Sequence, residues 1–186
     1  MTSASPTSSP SNSSPAQAPG LATIERLHDD VAPPERATSG SAGYDLRAYL
    51  RERRVRVSDG IAQADRAAAD VNGEWQITLA PAEMALIPLG FRTRLPNGIE
   101  AQIRPRSGQA FKHALTIPNA PGTVDADYAE EWMVIVRNDA PAPRAIVHGE
   151  RIAQVVFARF AEVTLEEGSV TRSTERAGGF GSTGKH

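Results

Sequence analysis

The sequence predicts an all-β sandwich, and three observations carry that reading. The apolar stretches are short and rich in β-branched residues. Gly and Pro, 15 and 14 of the 186 residues, separate them as turns. Only the Ala-rich residues 61–70 read as a helix, and a short one. Many strands with one weak helix argue for packed sheets and against alternating βαβ units.

Residues 1–20 are nearly all Ser, Pro, Ala, Thr and Gln, with no charged side chain. Such a segment buries too little apolar surface to offset its ordering entropy, which predicts a disordered tail. Residues 21–28 alternate weakly, as a first strand does. Pro33 and Pro34 interrupt it, and the Gly/Ser-rich loop 38–43 delivers a short strand, 44–48, that carries Asp45. Residues 51–74 read as an insertion whose basic patch, Arg51, Arg53, Arg54 and Arg56, belongs to a solvated loop. Strands resume at 75–79, 84–88 and 99–104, with Pro81 and the Pro-Asn-Gly of 96–98 as turns. The last strands are 131–138 and 152–160, separated by the Pro-rich 139–143 and the turn 148–151. Gln154 is the polar exception in 152–160, so it is hydrogen-bonded either in a core network or to a ligand.

Composition narrows the function. A net charge of −2 and a pI near 6.1 point to neither nucleic acid nor an anionic membrane as partner. The four histidines make no metal-ligand spacing, and the absence of cysteine excludes a disulfide frame, a thiolate metal site and a cysteine nucleophile. No apolar run approaches the ~18 residues of a membrane span, so the expected location is cytoplasmic. Neither a G-x-S-x-G elbow nor an H-E-x-x-H is present.

Three stretches carry chemistry. Residues 104–110, Arg-Pro-Arg-Ser-Gly-Gln-Ala, gather two guanidiniums, a hydroxyl and a glycine at a strand end, a set that suits phosphate oxygens. Residues 119–128, Asn-Ala-Pro-Gly-Thr-Val-Asp-Ala-Asp-Tyr, are a turn entering a buried strand. If that strand includes them, Asp125 and Asp127 share one face and Tyr128 takes the other. Residues 176–186 are Gly-rich with Arg176 and Phe180. Residues 179–185 match the Gly-x4-Gly-Lys of a P-loop, but His186 stands where Ser or Thr is required, so the match is rejected.

Five segments together resemble, in order, the trimeric deoxyuridine triphosphatase (dUTPase) family, over roughly residues 21–184. They are 42–48, Ala-Gly-Tyr-Asp-Leu-Arg-Ala; 105–110, Pro-Arg-Ser-Gly-Gln-Ala; 119–128; 149–154, Gly-Glu-Arg-Ile-Ala-Gln; and 176–184. The resemblance implies a jelly-roll-like β fold over 21–175, a flexible arm at 176–186, and a homotrimer with sites shared between subunits. It further implies Mg²⁺-assisted hydrolysis of dUTP to dUMP and pyrophosphate. By that resemblance Asp125 holds the attacking water and meets the sugar 3′-hydroxyl, and Tyr128 stacks on the deoxyribose. Asn119 and the backbone of Thr123, Val124 and Met133 read the uracil edge. Arg106, Ser107, Gly108 and Gln154 hold the phosphates, and Asp45 reaches Mg²⁺ only through water. Arg176 reaches the γ-phosphate, Phe180 covers the uracil, and Ser182 and Thr183 cap the triphosphate.

The chain departs from the family pattern in three places. Glu130 stands where glycine is usual, the fifth segment is one residue short between Arg176 and Gly178, and Gln109 replaces an apolar residue. If position 130 has positive φ, the glutamate there costs about 1 kcal/mol of strain. Two rivals share the fold, a dCTP deaminase-like enzyme and a non-catalytic regulator. Asp125 and Tyr128 favour the hydrolase.

Overall fold

The computed structural model describes residues 20–171. Strands β1 (Thr23–Arg26), β2 (Glu35–Arg36), β3 (Tyr44–Arg47), β4 (Arg54–Ser58) and β5 (Gln63–Ala67) come first. They are followed by β6 (Ala69–Val71), β7 (Glu74–Leu79), β8 (Met84–Pro88), β9 (Phe91–Arg94) and β10 (Ile99–Pro105). After helix α1 (Ser107–His113) come β11 (Leu115–Thr116), β12 (Gly122–Val124), β13 (Met133–Asn138), β14 (Arg144–Val147) and β15 (Arg151–Arg159).

Two five-stranded antiparallel sheets, β12-β10-β15-β3-β2 and β11-β13-β8-β4-β5, contribute their inward faces to one core. The pairs β1-β9 and β14-β7-β6 complete the jelly-roll-like sandwich. Period-2 alternation explains the packing. Val134 and Val136 of β13, Val55 and Val57 of β4, and Ala101 and Ile103 of β10 are all buried. A register shift between Arg151 and Ala153 lets Ile152 and Ala153 both face inward.

Three expectations need correction. No helix forms at 61–70; β5 and β6 lie there instead. The Asp59 carboxylate accepts from the N–H of Ile61 and Ala62, both at 2.8 Å, and Gly60 adopts φ +93°, so the chain reverses after β4. Pairing of β5 with β4 then outweighs the helix propensity of its alanines. Nor is 51–74 merely a solvated loop, because β4 pairs with β8 and buries two valines in the core. Finally, Asp125 and Asp127 do not share a strand face. β12 ends at Val124, and Tyr128 N–H donates to the Asp125 carbonyl at 3.2 Å in a turn.

Candidate active site

Tight local packing builds the 119–128 turn. The Ala120 N–H donates to the Ile117 carbonyl at 3.0 Å, and the Ala120–Pro121 peptide is cis. A Cβ on Gly122 would lie 3.1 Å from the Asn119 amide nitrogen, so glycine lets the two close up. β12 pairs with β10 through Val124 opposite Ala101 and Gly122 opposite Ile103. The turn thus projects from the sheet over a cavity of about 240 Å³. Asn119, Thr123, Val124, Asp125, Tyr128 and Met133 all line it, over an apolar floor that includes Ile103 and Trp132.

A second cavity, of about 480 Å³, lies beside the end of β10. Its lining includes Asp45, Arg106, Ser107, Gly108 and Gln154, and also Arg104. Strand register explains the grouping. Asp45 stands opposite Gln154, and Gln154 opposite Arg104, so one row crosses β3, β15 and β10 on a single face. That parity was the available signal for Arg104. Asp45 accepts from Arg106 Nε at 2.8 Å and from Arg151 Nη1 at 3.1 Å. Gln154 Nε2 donates to the Pro105 carbonyl at 2.9 Å. A Cβ at Gly43 would fall 2.2 Å from Gln154 Oε1, so the 38–43 loop approaches closely because it carries glycine there.

Among the described residues the two sets line separate cavities. Ile103 belongs to the first cavity and Arg104 to the second, and adjacent strand residues face opposite ways. Arg176, Phe180, Ser182 and Thr183 lie outside the described residues. So does the shortened fifth segment.

The structure also defines the other departures. The non-glycine residues with positive φ, among those described, are Glu52, Asn72, Ala82 and Ala114, so Glu130 carries no left-handed strain. Gln109 is buried and ties the second segment to the fourth. It donates to Glu150 Oε1 and to the Arg151 carbonyl, both at 2.9 Å, and accepts from Arg144 Nη2 at 2.9 Å. Arg144 also pairs with Glu150 at 2.5 Å. Sequence reading missed this network because Arg144 lies 35 residues from Gln109.

Among the described residues no group of three or more His, Cys, Asp or Glu side chains could hold a metal. Among the described residues, Asp45 is the only carboxylate lining the phosphate-suited cavity. One carboxylate among guanidiniums suits an ion carried mostly by ligand phosphates and its own waters. No described helix is long and apolar enough to cross a membrane.

The sequence profile of the dUTPase family matches residues 58–184. A deoxyuridine 5′-triphosphate nucleotidohydrolase of Rhizobium etli is 44% identical over 162 residues, covering 85% of this chain and 98% of that protein. In structure the chain is similar to the dUTPase of Staphylococcus bacteriophage 80alpha, with TM-score 0.63 and 21% identity over 82% of this chain and 99% of that one. It is also similar, at TM-score 0.63 and 20% identity over 82% of this chain and 99% of that one, to a mutant of the dUTPase of phage phi11 of S. aureus. That structure describes coordination of a structural Mg(II) ion. Fold, ordered segments and relatives agree: the chain belongs to the dUTPase family.

Proposed function

We propose that the protein hydrolyses dUTP to dUMP and pyrophosphate, with Mg²⁺, at sites shared between the subunits of a homotrimer. One observation carries the reading. The 119–128 turn sets a carboxylate, an aromatic ring and an amide around a single small cavity, while Arg106, Ser107, Gly108 and Gln154 line another suited to phosphate. Asn119 and the backbone of Thr123, Val124 and Met133 read the base. A donor/acceptor mismatch with cytosine leaves buried polar groups unpaired, which sets selectivity. Tyr128 packs against the deoxyribose and crowds a 2′-hydroxyl.

Asp125 orients a water against the α-phosphorus and takes its proton as the new P–O bond forms. The bond from the α-phosphorus to the bridging oxygen breaks, and pyrophosphate leaves. Arg106, Ser107, Gly108 and Gln154 hold the phosphates in line, and Arg176, Phe180, Ser182 and Thr183 close the site from the arm. Bound Mg²⁺ would supply charge neutralisation on the triphosphate, held mainly by the phosphates, and Asp45 is the residue that would contact it through water. A cytoplasmic location goes with this reading.

The test incubates the pure protein and Mg²⁺ with dUTP, dCTP, dTTP and UTP separately. Pyrophosphate and dUMP from dUTP alone are expected. Ammonia from dCTP would reassign the chain to the deaminase class. Binding of dUTP without turnover would make it a regulator.

A further inference from the structure

Sequence reading gives residues 51–74 no role, yet one of their arginines reaches the turn that carries Tyr128. Arg53 Nη2 meets Glu131 Oε2 at 2.5 Å, and Gly90 N–H donates to Glu131 Oε1 at 2.9 Å. The Glu131 side chain is only 12% exposed and that of Arg53 23%, so this pair is largely sheltered from solvent screening. Arg53 is itself held, with Nη1 3.2 Å from His28 Nε2 and its guanidinium 6.0 Å from the Tyr49 ring centroid.

Glu131 is three residues beyond Tyr128, and its carbonyl accepts from the Tyr128 hydroxyl at 3.4 Å. The next residue is stitched to the β8–β9 corner. Trp132 N–H donates to the Phe91 carbonyl at 2.9 Å, and the Trp132 carbonyl accepts from Leu89 N–H at 3.0 Å. Residues 129 and 130 between these anchors are exposed, and so is Tyr128, at 42%. Tyr128 is therefore tied at two points, by its backbone N–H in the 125–128 turn and by its hydroxyl on the Glu131 carbonyl.

We propose that Arg53 and Glu131 are positioning residues for substrate selection: their ion pair sets where the Tyr128 ring stands, and so how strictly the site separates a 2′-deoxyribose from a ribose. The proposal rests on the reading of Tyr128 given above. Neither residue lines the cavity of the 119–128 turn, so both act through the turn.

The test measures kcat and KM for dUTP and for UTP in the unaltered full-length protein and in Arg53→Gln, Glu131→Gln, the double variant and Arg53→Lys, with a melting curve for each. Small displacements of a positioning group cost ten- to a hundredfold. The expected result for Arg53→Gln is a KM for dUTP about tenfold higher and a dUTP-over-UTP preference about tenfold smaller, with kcat changed less than KM. Glu131→Gln should behave alike, and the double variant no worse than either single change, because one interaction is removed in all three. Arg53→Lys keeps the charge and should restore part of the preference. An unchanged preference in folded Arg53→Gln and Glu131→Gln, with only a lower melting temperature, would overturn the proposal, as would strictly additive losses. If Arg53→Gln does not fold, Glu131→Gln and Arg53→Lys decide alone. Absence of dUTP hydrolysis by the unaltered protein would instead sink the proposed function itself.

Discussion

A carboxylate that must hold a water and take its proton cannot already be spent on a cation. The two acids of the site differ on this point. Asp45 is bonded by two guanidiniums, whereas the Asp125 side chain is exposed at its cavity with no partner among the described residues. Asp125→Asn keeps the shape and hydrogen-bonding capacity but not the basicity. It should bind dUTP about as well as the unaltered chain and turn it over ~10² to 10⁴ times more slowly, read by calorimetric titration beside steady-state rates. Turnover within a few-fold of the original would refute the role. Gly43→Ala probes the other cavity. The added methyl must push the Gln154 amide aside, so KM should rise several-fold while the melting temperature changes little. The proposed site residues were singled out because each lies in a short segment of characteristic composition. Their partners were not. Arg151 is 106 residues from Asp45, and Arg53 is 78 from Glu131, so no local pattern announces either contact.

At the scale of elements, the main strands were legible wherever apolar residues alternate between Gly and Pro turns, as in β8, β10, β13 and β15. Residues 63–67 were not, because β5 is exposed along its length and has no inward residue to show a period of two. Its alanines and charges suit a helix equally well, and only antiparallel pairing with β4 decides. Helix α1 was hidden for the opposite reason: it is a single short piece that begins in a stretch read for its phosphate chemistry. The turn between β7 and β8 supports a prediction about pH. Glu83 is held by Arg66 Nη2 at 2.6 Å and accepts from Ala80 N–H at 2.9 Å; the Arg66 hydrogen bond, against an opposing desolvation, keeps its carboxyl below the ordinary value. A depressed folded-state pKa contributes stability above the unfolded value and loses it as pH falls through the folded one. Arg66 is 42% exposed, so solvent screening limits the contribution to about 1 kcal/mol. Glu83→Gln should therefore lower the melting temperature at neutral pH, and the deficit should shrink below about pH 4.3. A deficit that stays constant down to pH ~3 would remove the charge from the explanation.

For the whole molecule, the resemblance read from the sequence implies sites shared between subunits, and strand geometry supplies a physical argument for that expectation. Among the described residues, those proposed to read the base and those proposed to hold the phosphates line two cavities with no residue in common, because strand alternation sends Ile103 and Arg104 to opposite faces of β10. Under the proposed function, a substrate that needs both sets would draw them from different copies, which is what a closed cyclic assembly can supply. Complementation tests this directly. Asp125→Asn and Arg106→Ala should each be nearly inactive alone, since one loses the proposed base and the other a phosphate fork. Co-assembled in equal amounts, they should regain activity, because some interfaces pair an intact Asp125 from one chain with an intact Arg106 from another. Random mixing in a cyclic trimer makes about a quarter of the sites whole. Recovery near that fraction, absent when the two proteins are assembled separately and then combined without exchange, is the expected result. If co-assembly restores nothing although mixed oligomers are seen by native mass spectrometry, one chain must hold both residues of each site, and the 119–128 turn would have to fold across β10 when substrate binds.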